Sequence, residues 1–400
     1  MRTYERTHPW INFTADLSRA HPKLWIMLGE CQSKCEHLSK APLRPETAQA
    51  LHKIYLAKGV QATTGIEGNT LTEEQVLQHI DGKLSLPPST AYLQQEIDNI
   101  LQACNETLKQ VAGGNAPSLS VERIQYLNAR VLNKLNLAEG VEPGALRTYS
   151  VVVGNVYRGA PAEDGAFLLD RLCTWLNGPD FLPPVSMEPY GTVFALLRAI
   201  VAHLYLAWIH PFGDGNGRTA RLVEFEILTA AGLPSPVTHL LSSHYNFTRT
   251  EYYRQLDMAS KSNGDILPFI SYAVQGFLDG LRGYVERVWE QHYDIVWRSH
   301  VYDKFRSHSG DVHKRRRSLV LDLSNAGEAK TKAQIAALTP ELAKAYAQKT
   351  DKTLGRDLNE LVKMGLLTRE GDRYRAKTDI VLSLLPVRAQ NTNGPRQDKR

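Results

Sequence analysis

Four hundred residues supply enough chain for two or three domains with a sizeable buried core. Hydrophobic residues at 42% and charged residues at 22% are ordinary for a soluble globular chain, and no apolar run is expected to approach the roughly 20 residues of a membrane span. The net charge of +5 is uneven: residues 301–400 hold 21 Lys/Arg against 12 Asp/Glu, or +9, which leaves −4 for residues 1–300.

The opening Met1-Arg-Thr-Tyr-Glu5 shows no leader pattern. Cys31, Cys35, Cys104 and Cys173 form no Cys-x-x-Cys pair, which argues against a zinc site or disulfide framework and for a reducing, cytoplasmic setting. Residues 1–45 are mixed, with Trp10, Phe13 and Trp25 as expected packing anchors. A helix is predicted from about Pro45, with Leu51, Ile54 and Tyr55 on one face. It leads into Thr63-Thr-Gly-Ile-Glu67-Gly-Asn69. Thr72-Glu-Glu-Gln75 then reads as a capping box opening the next helix, which puts Glu67 at a helix-to-helix corner.

Pro87-Pro88 begins a linker and a helix of about 90–112 follows. Gly113-Gly-Asn-Ala-Pro117 breaks the chain, so a boundary is expected between a helical region 1–114 and a core 115–300. Ser120 caps a helix carrying Ile124, Leu127, Val131 and Leu135. Residues 144–161 are the core's hairpin candidate: Thr148 to Val153 is β-branched and aromatic, Gly154-Asn155 turns it, and Val156-Tyr157-Arg158 returns. A helix at about 162–177 precedes the Pro179–Pro189 loop.

Val193, Leu196, Leu197, Ile200, Leu204 and Trp208 then recur at helical spacing, as do Leu222, Phe225 and Leu228. Between them lies His210-Pro-Phe-Gly-Asp-Gly-Asn-Gly-Arg218-Thr-Ala-Arg221, whose three alternate glycines break regular structure. A helix therefore ends near His210 and another starts near Asn216. Free N–H groups at a glycine-loosened helix start make an anion pocket. Arg218 and Arg221, one turn apart, add grip on phosphates, Asp214 suits Mg²⁺ beside them, and His210 suits a general base. The residues describe phosphoryl or nucleotidyl transfer without choosing between them. Neither an EF-hand nor a P-loop fits, since the later acidic ligands and the Gly-Lys-Ser/Thr are missing.

The stretch resembles the signature of the Fic (Fic/DOC) family, His-x-Phe-x-Asp/Glu-Gly-Asn-Gly-Arg-x-x-Arg, at every defined position. The resemblance implies a mainly α fold, a helical core with a β-hairpin flap, and transfer of AMP from ATP to a Ser, Thr or Tyr hydroxyl of a target protein or of the chain itself. It assigns His210 the proton, Asp214 the Mg²⁺, Asn216 with Gly215 and Gly217 the α- and β-phosphates, and Arg218 and Arg221 the β- and γ-phosphates. Thr63 to Gly68 resembles the family's inhibitory pattern, Ser/Thr-x-x-x-Glu-Gly/Asn, which implies that Glu67 pairs with Arg221 in the γ-phosphate's place, with Thr63 in the pattern; Thr64, three residues before Glu67, is placed by helical spacing on the same side toward the pocket. Gly144-Ala-Leu-Arg147 resembles the flap's opening element, so Arg147, Val152, Val153 and Gly154 are expected to dock the target. Leu241-Ser-Ser-His-Tyr-Asn-Phe247 through Tyr252-Tyr253 resembles the adenosine-lining segment, with Phe247, Tyr252 and Tyr253 as candidates for the base.

A long amphipathic helix is predicted over 265–300, and Asp311-Val-His-Lys-Arg-Arg-Arg317 brings a burst of charge. Residues 318–378 read as helices ending in Thr350–Met364 and a hairpin about Gly371, which resembles a winged helix-turn-helix within a region 301–388. Its last helix presents Lys352, Arg356, Asn359 and Lys363, and the wing adds Arg373 and Arg375, for DNA or protein contact. Residues 389–400 are expected to be a disordered tail. The expectation is an autoinhibited ATP- and Mg²⁺-using adenylyltransferase, without membrane contact and with a homodimer open. The rivals are AMP removal or another phosphate-containing transfer at the same site, and a nucleotide-sensing DNA-binding regulator.

Overall fold

The computed structural model describes residues 1–153 and 157–381. It divides into two compact units, Met1–Glu286 and Arg287–Arg400. The fold is mainly α.

The first unit begins with the helices α1 (Thr3–Thr7), α2 (Pro22–Lys40), α3 (Pro45–Gly65) and α4 (Glu73–Ile80). The Thr72–Gln75 capping box closes on both sides and starts α4 as expected. Next come α5 (Ala91–Ala112), α6 (Val121–Val131) and the short antiparallel pair β1 (Val152–Val153) and β2 (Tyr157–Arg158). The order continues with α7 (Gly165–Leu176), α8 (Gly191–Ile209), α9 (Asn216–Ala230), α10 (Leu240–Phe247), α11 (Arg249–Lys261) and the long α12 (Leu267–Lys304), which belongs to the second unit from Arg287 on.

The core is the antiparallel pair α8 and α9, with α2 and α7 against α8 and with α3, α5 and α6 against α9. Helix α8 is apolar on every face, so it has no side to offer to water and must be enclosed. The 25-residue segment Val185–Ile209 is in fact long and apolar enough to cross a membrane by length and composition, contrary to the expectation from the sequence, but 72% of its most apolar 18-residue stretch is buried inside the protein. Nearly all of α9 is buried too, including Arg218, Arg221, Glu224 and Glu226. Buried charge needs partners. Glu226 takes Arg123 of α6 and the Thr107 hydroxyl of α5.

Several expectations change. The break at 113–117 divides no compact units, because α5 packs on both α6 and α9. The division of the chain falls after Glu286 rather than at 300. Residues 22–40, unassigned from sequence, form α2, and Trp25 lies on its exposed side instead of anchoring the core. The hairpin shrinks to two residues per strand. Gly154 and the tail 389–400 lie outside the described residues.

The second unit holds α13 (Asp311–Asn325), β3 (Lys330–Thr331), α14 (Lys332–Ala336), α15 (Pro340–Tyr346), α16 (Asp351–Lys363), β4 (Leu367–Glu370) and β5 (Arg373–Ala376). The strands form one antiparallel sheet in the order β3-β5-β4. The hairpin was legible, whereas the two-residue β3 was not. Leu319, Leu323, Leu354, Leu358, Leu361 and Tyr374 belong to the core of this unit. The basic run of α13 is spent inside it. Arg315 and Arg316 both bond the buried Asp357 of α16, and Arg317 covers the Tyr302 ring.

Candidate active site

Pro211 cannot continue α8, and the chain leaves the helix at His210 with φ 49°, ψ 60°. A left-handed histidine is uncommon and needs outside support. Arg147 provides it. Its guanidinium donates to the carbonyls of His210 at 2.7 Å and Tyr149 at 2.6 Å, and also to those of Ala160 and Ile209. Arg147 is therefore not a target-docking side chain. It is buried and fastens the base of the hairpin to the end of α8. Val152 and Val153 remain exposed on the hairpin.

Burial lowers the His210 pKa to about 4, against the Ala207 carbonyl that it bonds. The imidazole is neutral at pH 7 and free to accept a proton.

The loop 212–216 is closed by one side chain. Asn216 Oδ1 accepts from the Phe212 N–H at 2.9 Å, and Asn216 Nδ2 donates to the Phe212 carbonyl at 2.8 Å. The amide expected on the phosphates is thus already used within the loop. What it leaves for an anion is the backbone at the start of α9, where the first N–H groups have no intrahelical acceptor. Gly215 takes φ 74°, and a Cβ there would press on Leu132, Val131 and Asn128. Asn128, fully buried on α6, donates to the Asp214 carbonyl and accepts from the Gly144 N–H, which joins this loop to the hairpin's opening.

Asp214 stands half-exposed at the loop tip. Its Oδ1 accepts from Gly215 N–H at 2.5 Å and from Arg218 at 3.3 Å. The second Arg218 nitrogen meets Glu96 of α5 at 3.2 Å.

The Glu67 corner meets the same helix start. Arg221 Nη2 donates to Glu67 Oε1 at 2.5 Å and to the Thr63 carbonyl at 2.9 Å. Arg221 is 1% exposed and the Glu67 side chain 36% exposed. A Cβ on Gly217 would overlap the Glu67 carboxylate, so this carboxylate lies against the first turn of α9. Burial opposes its charge, yet Arg221, Arg218 and His210 prevail and hold its pKa below the usual range. Thr63 takes part through its carbonyl alone. The Thr64 hydroxyl is returned to the Val60 and Gln61 carbonyls of its own helix and does not face the pocket.

The three aromatics separate. Phe247 is 90% exposed. Tyr252 is a core residue, stacked on Tyr245 and bonded to the buried His203 at 2.8 Å, so it offers no open face to a base. Tyr253 is half-exposed, with its hydroxyl 3.5 Å from the Ile66 carbonyl beside Glu67. A groove of about 530 Å³ beside β2, lined by Trp10, Tyr157, Arg158 and Lys261 among others, includes none of the motif residues.

Residues 118–228 match the model of the Fic/DOC family. The chain carries a Fic/DOC domain. It is 29% identical over 270 residues to the protein adenylyltransferase Fic of Nematostella vectensis, covering 65% of this chain and 57% of that protein. It is 30% identical over 226 residues to protein adenylyltransferase fic-1 of Caenorhabditis elegans, covering 56% and 40%. The chain thus spans about half the length of the relatives it matches. Among solved structures, a Fic family protein from Desulfovibrio desulfuricans G20 superposes with TM-score 0.53 at 21% identity, over 89% of this chain and 95% of that one. Fic-1 from C. elegans superposes with TM-score 0.52 at 25% identity, over 66% and 73%.

Within the Fic domain the structure adds Asn128, and outside it Glu96, to the residues around the helix start. Neither stood out in the sequence. Each lies inside an ordinary helical pattern and becomes notable only through contacts more than 80 residues away in the chain.

Proposed function

We propose that this chain transfers AMP from ATP to a hydroxyl side chain of a protein, itself among the acceptors, and that Glu67 holds the site inactive. The observation that supports this best is the meeting of a neutral imidazole, His210, with a helix start flanked by Arg218 and Arg221. The relatives named protein adenylyltransferase support the choice of AMP over phosphate.

In this reading the α9 N–H groups and Arg218 orient the α- and β-phosphates, and Arg221 takes the terminal phosphate. The hydroxyl oxygen attacks the α-phosphorus as its proton passes to His210. The bond from the α-phosphorus to the bridging oxygen breaks, and pyrophosphate leaves. Positioning and fixed charge do most of the work. Asp214 fits a divalent ion: it is half-exposed, and among the described residues only its Oδ1 has protein partners. Mg²⁺ held there would offset phosphate charge. The exposed Val152 and Val153 offer an edge to which a target segment adds as a strand.

Glu67 explains the resting state. Its carboxylate takes the Arg221 donor that the terminal phosphate needs, and an anion already lies on the α9 start. Glu67→Gly should raise incorporation of label from α-labelled ATP by about tenfold or more, the effect of a competing contact worth roughly 1.4 kcal/mol. Adding His210→Ala should abolish that signal while ATP still binds. Label arriving from the γ-position instead would replace AMP transfer with phosphate transfer. Unchanged labelling after Glu67→Gly would remove the inhibitory role.

A further inference from the structure

The structure assigns Glu96 of α5 a positioning role: it aims the Arg218 guanidinium, so that nucleotide phosphates meet a fixed set of N–H groups. This rests on the nucleotide site proposed above and adds a residue that lies before the matched segment 118–228. Glu96 shares one side of α5 with the buried Leu93, Ile97 and Ile100. Helix α5 is itself fastened. Asn99, one turn after Glu96, donates to the Val131 carbonyl at 3.0 Å and the Asn133 carbonyl at 2.8 Å, at the end of α6.

Each oxygen of the Glu96 carboxylate has its own donor. Oε1 accepts from Arg218 Nη1 at 3.2 Å, and Oε2 accepts from Asn69 Nδ2 at 2.8 Å. Asn69 is buried and fixed in turn. Its Oδ1 accepts from the Leu71 N–H at 3.0 Å, and its Nδ2 also donates to the Leu93 carbonyl at 3.0 Å. The carboxylate is thus held from behind and cannot follow the guanidinium. Asp214, the other carboxylate on Arg218, is different. It stands half-exposed at the loop tip and meets Nη2 at 3.3 Å. If Asp214 serves a divalent ion, Glu96 is the carboxylate left to orient Arg218 among the described residues.

A guanidinium presents its N–H groups in one rigid plane, so fixing one of them constrains the rest. The Nη1 contact to Glu96 does this for Arg218. The Arg218 Nε is buried without an acceptor among the described residues, and so is the Arg221 Nε one turn on. Buried donors without acceptors are costly, and two of them on the first turns of α9 fit the oxygens of a di- or triphosphate. Without Glu96 the long Arg218 side chain regains its rotamers, and the phosphates must order it on binding.

The test uses the full chain carrying Glu67→Gly, titrated calorimetrically with ATP and Mg²⁺. Glu96→Gln keeps the shape but offers one amide oxygen to two donors, so Arg218 or Asn69 loses its acceptor. ATP affinity should fall about tenfold, with KM rising alike and kcat holding within about twofold, because His210 is untouched. In an Arg218→Ala background the same change should cost less than about twofold. Asn69→Ala leaves the ion pair but frees the back of the carboxylate, and should weaken ATP by about threefold. It carries the test alone should Glu96→Gln fail to fold by circular dichroism. The role is overturned if folded Glu96→Gln or Asn69→Ala binds ATP as the Glu67→Gly parent does, if the loss is equal with and without the Arg218 side chain, or if kcat falls while KM stays. The binding comparison needs no turnover. Absence of AMP transfer by Glu67→Gly would therefore strike the transfer reading and leave Glu96 to be judged by affinity.

Discussion

His210 holds φ 49° because four carbonyls around it converge on one guanidinium. Removing Arg147 would leave buried acceptors unpaired, each costing about 1–3 kcal/mol. Arg147→Ala should therefore lower thermal stability and, in the Glu67→Gly form, lower kcat more than it raises KM. An unchanged kcat would show that His210 keeps its place unaided. The depressed His210 pKa gives a second residue-scale prediction. The base form is lost only as pH falls through about 4, and removing the Glu67 charge, which raises that pKa, moves the loss no higher. The pH profile of kcat/KM for Glu67→Gly should be flat from about pH 5.5 to about pH 7. An acid limb near the ordinary histidine value of about 6.5 would contradict the burial of this imidazole.

At the scale of elements, the corner between α3 and α4 is the device that presents Glu67. Arg249 of α11 donates to the Ile66 carbonyl, and Asn69 donates to the Leu93 carbonyl and to Glu96, which also binds Arg218. Arg249→Ala should loosen the corner and raise AMP transfer by roughly 2–10-fold, a coupling on the order of 1 kcal/mol. The same change in a Glu67→Gly background should do nothing. A rise in both backgrounds would mean that Arg249 acts on the nucleotide instead. The sequence made the motif loop and the corner legible because both are local: glycines, a proline stop and a capping box lie within a few residues of the side chains that they place. It gave no sign of the Arg147 clamp, Asn128 or Glu96, whose partners are distant in the chain. Asn216 and Tyr252 misled for a related reason. Residue type fits a ligand role in each, but packing had already used the amide on Phe212 and the phenol on His203.

The first unit as a whole buries histidines. His8, His52, His210, His239 and His244 all have lowered pKa values, with burial as the leading cause. The folded state then binds fewer protons than the unfolded state below about pH 6.5, so stability falls as pH drops through that window. His239, stacked on Phe225 with its pKa lowered to about 3, is the largest single source. It should contribute on the order of 2 kcal/mol to the loss between pH 7 and about pH 4.5. Urea midpoints should decline across that range, and His239→Leu should flatten the decline. A midpoint independent of pH would mean that these rings are solvated.

The central claim is spatial: the start of α9 holds an anion, which is Glu67 at rest and the ATP phosphates in action. The measurement closest to it is a crystal structure of Glu67→Gly with ATP and Mg²⁺. The account predicts the triphosphate on the Gly215–Arg218 turn, Arg221 on its terminal phosphate, and the His210 ring facing the α-phosphorus across an open gap for the acceptor hydroxyl. A triphosphate bound elsewhere, or an Arg221 still turned toward the α3 carbonyls with no phosphate contact, would contradict it.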